Sequence, residues 1–170
     1  FCGPDCTRAL ESVLAEITAF YQSQSDMRKN RLCCAVFDLF LTTEGLDEEA
    51  AIYVNWGVVR AWDINQLYMM SKSGGFGDID RTVTVSNQCY DAAAVNYVMY
   101  GHMGRLCGRK WEEIWRAVKI WKYVAYQHGP NTETEAWARA GYNGWSPNVS
   151  VQSTTYWAVA DEEDRGLLLG

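Results

Sequence analysis

The chain has 170 residues, of which 48% are hydrophobic and 21% are charged, so it is long and apolar enough to fold around one hydrophobic core. Its net charge of −6 and its lack of a Lys/Arg cluster argue against a nucleic-acid-binding protein. No apolar run reaches the roughly 18 residues that a membrane-spanning helix needs. We therefore expect a monomeric globular domain whose partner is neither nucleic acid nor a membrane.

Hydrophobic spacing and capping residues predict a mainly helical chain. Apolar residues recur at helical spacing from Leu10 to Tyr21, after a turn in which Asp5 or Thr7 can cap the helix; Asp26 can cap the next one. In chain order, the expected elements are helices at about 8–22, 26–41 and 47–67, a strand at 81–85, helices at 89–107, 110–127 and 132–141, and a strand-like segment at 149–159. The predicted class is mainly α with a minor β component (α+β), as one disulfide-linked domain over residues 1–160 and a poorly ordered tail at 161–170.

Six cysteines, only two histidines and no C-x-x-C pair favour disulfides over a metal site, and we expect no metal and no cofactor. The N-terminal arm carries two of the cysteines, and we expect it to be linked to the Cys33–Cys34 segment. Cys89 and Cys107 would lie about 27 Å apart on one unbroken helix, so a bond between them requires a break. Gly101 and Gly104 could supply that break. The sequence does not choose among the pairings.

The predicted helix at 89–107 is mostly apolar but carries several polar side chains. Asn96, Tyr97, Tyr100 and His102 would each need a partner if buried, because an unpaired buried polar group costs roughly 1–3 kcal/mol. Two interpretations remain open. The helix either lines a binding site, or it is a core helix whose polar groups bond to neighbouring carbonyls and loops.

Aromatic residues make up 14% of the chain, including eight tryptophans. Trp62, Tyr90 and Trp145 lie near turns or polar residues, where exposed rings beside carboxylates could stack on the apolar faces of sugars. Trp111 and Trp115 lie on one helical face and are better explained as core. The aromatic pattern suggests a polysaccharide cleft without specifying one.

Carboxylates are the second requirement of glycoside hydrolysis, which usually uses a protonated acid and a base or nucleophile. Asp63 lies between Trp62 and Ile64, a setting that would raise its pKa by desolvation unless Arg60 pairs with it. The alternative is that Asp63 caps a helix that begins at Ile64. Candidates for the second carboxyl are Asp5, Glu44, Asp91 and Glu11, each of which can equally be a solvated surface charge.

Two other functional classes stay open. Cys89 stands at the predicted start of a helix, a position that lowers a thiol pKa, so it could be the nucleophile of an amidase or peptidase with His102 or His128. A disulfide is the competing role of Cys89. A non-catalytic glycan-binding or effector protein built on disulfides and exposed aromatics would fit the same composition.

Two features suggest secretion. Asn148-Val149-Ser150 is an N-glycosylation sequon that follows Trp-Ser-Pro in a predicted surface loop. The sequence begins at Phe1, which would be consistent with a signal peptide that has already been removed. We therefore expect an extracellular protein.

Several short motifs follow one another along the chain: Cys2-Gly-Pro-Asp-Cys-Thr7, Trp62-Asp-Ile64, Val83-Thr-Val85, Cys89 with Val95-Asn-Tyr-Val-Met-Tyr-Gly101, Leu106-Cys107 and Ala140-Gly-Tyr-Asn-Gly-Trp145. In this order they resemble a family of small secreted fungal domains that have bacterial relatives at the ends of toxin-like proteins. The family is that of muramidases which occur beside SH3-like cell-wall-binding modules. The chain departs from the pattern at Tyr90-Asp91, where an aromatic and a small residue are expected, and at Tyr68, where a histidine is expected.

The resemblance implies a lysozyme-type muramidase that cleaves peptidoglycan between N-acetylmuramic acid and N-acetylglucosamine. It implies Asp63 as a catalytic carboxyl, and our prediction adds Glu44 or Asp5 as the second. Asn96 and Tyr97 are motif positions near the site and would orient the substrate. The other predicted substrate-binding residues are Trp62, Tyr90, His102 and Trp145.

Overall fold

The computed structural model describes residues 2–37, 82–127 and 129–152. These residues are mostly helical with one small sheet, which agrees with the predicted α+β class. In chain order they form α1 (Thr7–Ser23), α2 (Asp26–Phe37), β1 (Thr82–Val85), β2 (Gln88–Asp91), α3 (Ala92–Val95), α4 (Tyr97–Leu106), α5 (Trp111–Tyr126) and α6 (Thr132–Tyr142). None of the described helices combines the length and apolarity needed to cross a membrane.

The predicted strand at 81–85 is confirmed as β1, which pairs antiparallel with β2. Ser86 and Asn87 connect the two strands with φ angles of 50° and 64°, the left-handed pair that a tight hairpin turn requires. The prediction of one helix over 89–107 is therefore wrong at its start. Cys89 lies in β2 opposite Thr84, and the helical region begins only after Asp91.

The N-terminal arm lies parallel to β1 on its other edge. The Cys6 N–H donates to the Thr84 carbonyl oxygen at 2.9 Å, and the Thr84 N–H donates to the Pro4 carbonyl oxygen at 2.9 Å. The Thr84 hydroxyl donates to the Gly3 carbonyl oxygen at 2.9 Å. A short stretch of the arm thus provides hydrogen-bond partners for the edge of β1. A two-stranded hairpin would be only marginally stable by itself.

Two disulfides join segments that are distant in sequence. Cys2 pairs with Cys89 and Cys33 pairs with Cys107, each with a Cα–Cα distance of 5.7 Å. The expected link between the arm and Cys33–Cys34 is therefore wrong, because the arm lies beside the hairpin and its first cysteine faces β2. Cys89 and Cys107 each pair with another cysteine, so they are not bonded to each other.

Helix α1 confirms the first predicted helix but neither of its proposed caps. The N-cap is Cys6, which makes no side-chain capping hydrogen bond, and Thr7 is the first helical residue. The Asp5 Oδ1 atom accepts hydrogen bonds from the Thr7 backbone N–H at 2.9 Å and from its hydroxyl at 2.6 Å. Asp26 is the first residue of α2 instead of its cap, and the Ser25 carbonyl oxygen already accepts the Lys29 N–H at 2.8 Å.

Helices α5 and α6 confirm the predicted helices at 110–127 and 132–141. Glu113 accepts a hydrogen bond from the Lys110 N–H at 2.8 Å, and Asn131 accepts one from the Thr134 N–H at 2.8 Å, so both helix starts are capped. Residues 149–152 do not form a strand. The predicted helix at 47–67, the rest of the 149–159 segment and the tail at 161–170 lie outside the described residues.

Helices α4 and α6 cross at backbone contact through two glycines. A Cβ atom on Gly101 would meet the carbonyl oxygen of Ala138 and lie 2.6 Å from the Tyr142 nitrogen. A Cβ atom on Gly141 would meet the carbonyl oxygen of Val98. Fully buried core side chains surround this crossing, among them Leu10, Ile17, Val98, Ile114 and Trp137. Gly101 is therefore a packing residue within a continuous helix, not the break suggested above.

We expect Gly101→Ala to lower the free energy of unfolding by about 3 kcal/mol or more, because the added methyl meets the backbone of α6, which cannot rotate away. At an ordinary helix position the same change would stabilise the protein. Denaturant unfolding measures the difference. The control is Gly108→Ala, where φ is 65° and nothing lies within 4 Å, so only backbone strain of about 1 kcal/mol is added. Equal stability of Gly101→Ala and the unmodified protein would contradict the crossing.

The disulfides leave two thiols, Cys6 and Cys34. Cys6 is 0% exposed, and burial, helped by the charge of Asp5, raises its pKa to about 12; Cys34 is half-buried. A thiol reagent should therefore label only Cys34 in the folded protein, and Cys6 as well after unfolding without a reductant. Peptide mapping by mass spectrometry locates the label. Labelling of Cys89 in the folded protein would contradict the pairing.

Candidate functional site

The described part of the chain brings two carboxyl groups together where β2 meets the first turn of α6. Glu133 is only 4% exposed, and its Oε1 atom accepts a hydrogen bond from the Asp91 backbone N–H at 2.9 Å. The Asp91 side chain caps α3, with its Oδ1 atom accepting the Ala93 N–H at 2.9 Å. One residue of the hairpin thus donates to a buried carboxyl and also begins the next helix.

The pKa of Glu133 is raised to about 7, mainly because burial penalises the charged form. The hydrogen bond from Asp91 acts in the opposite direction, while the negative charge of Asp91 adds to the increase. Glu133 therefore keeps its proton up to near-neutral pH. A carboxyl whose pKa is raised by burial is a feature of many acid–base sites.

Tyr90 supports the same region from inside the core. Its Oη atom lies 2.6 Å from Gln88 Oε1 and 3.0 Å from the Val151 carbonyl oxygen. Its ring meets Trp137 edge-on, with centroids 4.9 Å apart, and Trp137 in turn packs against Trp145 at 6.0 Å. Burial, together with the charge of Glu133, raises the pKa of Tyr90.

The expectation that Tyr90 and Trp145 are exposed is wrong. They are 3% and 8% exposed, because the hairpin and the turn after α6 close over Trp137. In this arrangement their rings have no free face on which a sugar could stack. Their described role is to hold the hairpin and the α6 region together.

Lys122 of α5 brings a positive charge to the Asp91 side of the site. Its Nζ atom lies 4.9 Å from the Tyr97 ring centroid, and Tyr97 stacks on Tyr100 with centroids 5.4 Å apart. Burial lowers the pKa of Lys122, and the Asp91 charge partly offsets that effect. A half-buried cation therefore lies near the Asp91 carboxyl.

Asn96 and His102, both predicted to bind substrate, lie on the chain that leads away from the hairpin. Asn96 lies between α3 and α4, and its N–H donates to the Ala92 carbonyl oxygen at 3.2 Å. The His102 Nε2 atom lies 2.7 Å from the Thr18 hydroxyl oxygen, and that hydroxyl donates to the Leu14 carbonyl oxygen at 3.0 Å. This contact ties α4 to α1, and burial lowers the pKa of His102.

None of the predicted catalytic residues belongs to the carboxyl pair of Asp91 and Glu133. Asp5 is exposed, and its hydrogen bonds from Thr7 lower its pKa. Asp63, Glu44 and the binding candidate Trp62 lie outside the described residues. The predictions for these residues therefore stand as predictions.

Sequence reasoning missed Glu133. In Thr132-Glu-Thr-Glu-Ala-Trp137 it has the pattern of an ordinary acidic residue in the first turn of a helix, where the helix dipole favours negative charge. Its neighbour Glu135 is such a residue, 40% exposed and paired with Arg139 at 3.2 Å. Only the hairpin packed over α6 distinguishes them, and no local pattern encodes that contact.

The amidase or peptidase alternative requires Cys89 to be a free thiol. Cys89 is bonded to Cys2 and lies in a strand, so it is neither a thiol nor at a helix start. His128 lies outside the described residues, and His102 faces Thr18. Within the described ranges, no group of three His, Cys, Asp or Glu side chains could hold a metal ion.

Glu133→Gln should stabilise the protein at high pH. In the unfolded chain Glu133 ionises near its ordinary pKa of 4.5, whereas the folded protein retains the proton to about 7, so stability falls as pH rises between those values. The neutral amide can still accept the Asp91 N–H and removes this penalty, which is about 3 kcal/mol above pH 8. Denaturant unfolding of both proteins at pH 4 and pH 8.5 measures it.

The gain in stability from Glu133→Gln should be absent at pH 4, where the Glu133 carboxyl is mostly neutral in both the folded and the unfolded protein. Glu135→Gln is the matched control, because its exposed carboxyl lies two residues along the same helix. A Glu133→Gln protein that loses stability at pH 8.5 would contradict a buried, proton-retaining carboxyl.

Comparisons with known proteins do not identify the chain. No family profile, no curated protein and no solved structure shows significant similarity to it. A buried, proton-retaining carboxyl beside a second carboxyl can deliver a proton to a leaving oxygen, which is the central requirement of general acid catalysis.

Proposed function

We propose that this protein is a secreted glycoside hydrolase of the muramidase type, which cleaves peptidoglycan between N-acetylmuramic acid and N-acetylglucosamine. The observation that carries the proposal is the buried Glu133 carboxyl beside Asp91, with a pKa of about 7. The motif resemblance to fungal muramidases supplies the substrate class. Two disulfides agree with an oxidising, extracellular setting.

Glu133 is the general acid in this proposal. Its proton goes to the glycosidic oxygen as the bond to the sugar breaks, which prevents an alkoxide from leaving unprotonated. The second carboxyl must be ionised, to activate water or to attack the sugar. Asp91 has the position for this role beside Lys122, while Asp63 is the residue that the resemblance assigns.

Acid catalysis by Glu133 determines how the activity changes with pH. The enzyme is active while Glu133 is protonated and the second carboxyl is ionised. Activity should therefore fall as pH rises through about 7. A muramidase whose acid had an ordinary glutamic acid pKa would lose activity some two pH units lower.

Incubation with purified peptidoglycan should release muropeptides that carry muramic acid at the reducing end, identified by mass spectrometry after borohydride reduction. Glu133→Gln should lower kcat by about 100-fold or more, the usual loss of a general acid. Asp91→Asn and Asp63→Asn identify the second carboxyl, since asparagine at position 91 can still cap α3. Glu135→Gln should retain full activity.

Three outcomes separate the alternatives. Free stem peptides would show amidase or peptidase chemistry and overturn the proposal. Tight binding to the wall material with no product would favour a glycan-binding or effector protein. Muropeptide release that survives Glu133→Gln but not Asp63→Asn would keep the activity and move the acid to the residue implied by the motifs.

A further inference from the structure

The turn that follows α6 carries a modification motif that the proposed hydrolase does not use. Asn148, Val149 and Ser150 are all exposed, and the side chain of Val149 is 43% exposed despite being apolar. Buried residues stand on both sides of the motif, with Trp145 at 8% and Val151 at 5%. The motif is therefore a short exposed segment between two buried residues.

Hydrogen bonds on both sides of the motif attach this turn to the hairpin. The Ser86 hydroxyl donates to the Pro147 carbonyl oxygen at 2.7 Å, and the Tyr90 hydroxyl lies 3.0 Å from the Val151 carbonyl oxygen. Within the turn, the Val149 N–H donates to the Ser146 carbonyl oxygen at 2.9 Å. A transferase can therefore reach the three-residue motif without any part of the core having to open.

We propose that Asn148 is an acceptor for an N-linked glycan. Three independent features meet there: the Asn-X-Ser triplet, exposure of all three residues in a turn, and disulfides that form in the same compartment as N-glycosylation. Exposure is a result of the fold, since a triplet in the sequence could equally have been buried. The sequence contains no other Asn-X-Ser/Thr triplet.

The transfer needs a polyprenyl-diphosphate-linked oligosaccharide and the transferase that uses it. The Asn148 amide nitrogen forms a bond to the anomeric carbon of the first sugar. The bond from that carbon to the diphosphate oxygen breaks, and the polyprenyl diphosphate leaves with the electron pair. The amide nitrogen gives up one proton to the transferase, and the hydroxyl of Ser150 supplies the part of the motif that the enzyme recognises.

A glycan at Asn148 would cover the exposed Val149 and would lie on the outer side of the Tyr90–Val151 contact. Glycans are bulky and strongly hydrated, so they shield apolar surface and interfere with proteases. Asn148 itself is exposed, whereas Glu133 is buried at the start of α6.

The test is expression of the whole chain, behind a signal peptide, in a yeast or mammalian secretory host. The secreted protein should carry a glycan that peptide N-glycosidase removes, with conversion of Asn148 to aspartate detected by peptide mass spectrometry. Asn148→Gln and Ser150→Ala should each give protein without glycan. Ser150→Thr should keep the glycan, because threonine supplies the same hydroxyl.

Asn143→Gln is the matched control, since Asn143 is exposed in the adjoining turn but begins no such triplet. It should leave the glycan in place. Secreted protein that has both disulfides and no glycan at Asn148 would overturn the proposal. The readout is mass alone, so the result is independent of whether the protein cleaves peptidoglycan.

Discussion

The close crossing of α4 and α6 is the constraint on which the described fold depends. A helical glycine costs about 0.5–1 kcal/mol relative to alanine, yet α4 has one at position 101 and α6 one at position 141. Each occupies the point where the other helix presents its backbone. The two helices can approach only at this register, so the crossing fixes where both ends of α6 lie. Trp137 is consequently buried completely against the hairpin.

The position of α6 then determines the chemistry of its first turn. Glu133 would be an ordinary surface charge if α6 were displaced or rotated. With α6 held by the glycine crossing, the hairpin closes over Glu133, and the Asp91 N–H becomes its hydrogen-bond donor. One hydrogen bond does not compensate a carboxylate for lost water, so the proton is retained instead. Packing at one end of the helix thus raises a pKa at the other.

The disulfides and the hairpin have a different role, which is to join the N-terminal residues 2–37 to the segment that begins at residue 82. The arm completes one edge of β1, and Cys2–Cys89 fastens it to β2. Cys33–Cys107 fastens α2 to the end of α4. Both cross-links close loops of more than 70 residues, which in the chain-entropy view restricts the unfolded chain by about 4–5 kcal/mol each. The covalent links therefore support the crossing of the helices without forming it.

Local signals in the sequence determined α1, β1, α5 and α6, because hydrophobic spacing and caps such as Asn131 act within a few residues. The sequence also determined that cysteines would form disulfides, but not which ones. The second strand at Cys89 was missed because its ladder partner, Thr84, is recognised only through a turn with two left-handed residues. Tertiary structure alone decided that Glu133 is buried and Glu135 is not. Burial depends on which distant segment packs against a helix face, and neighbouring residues in the sequence do not specify that segment.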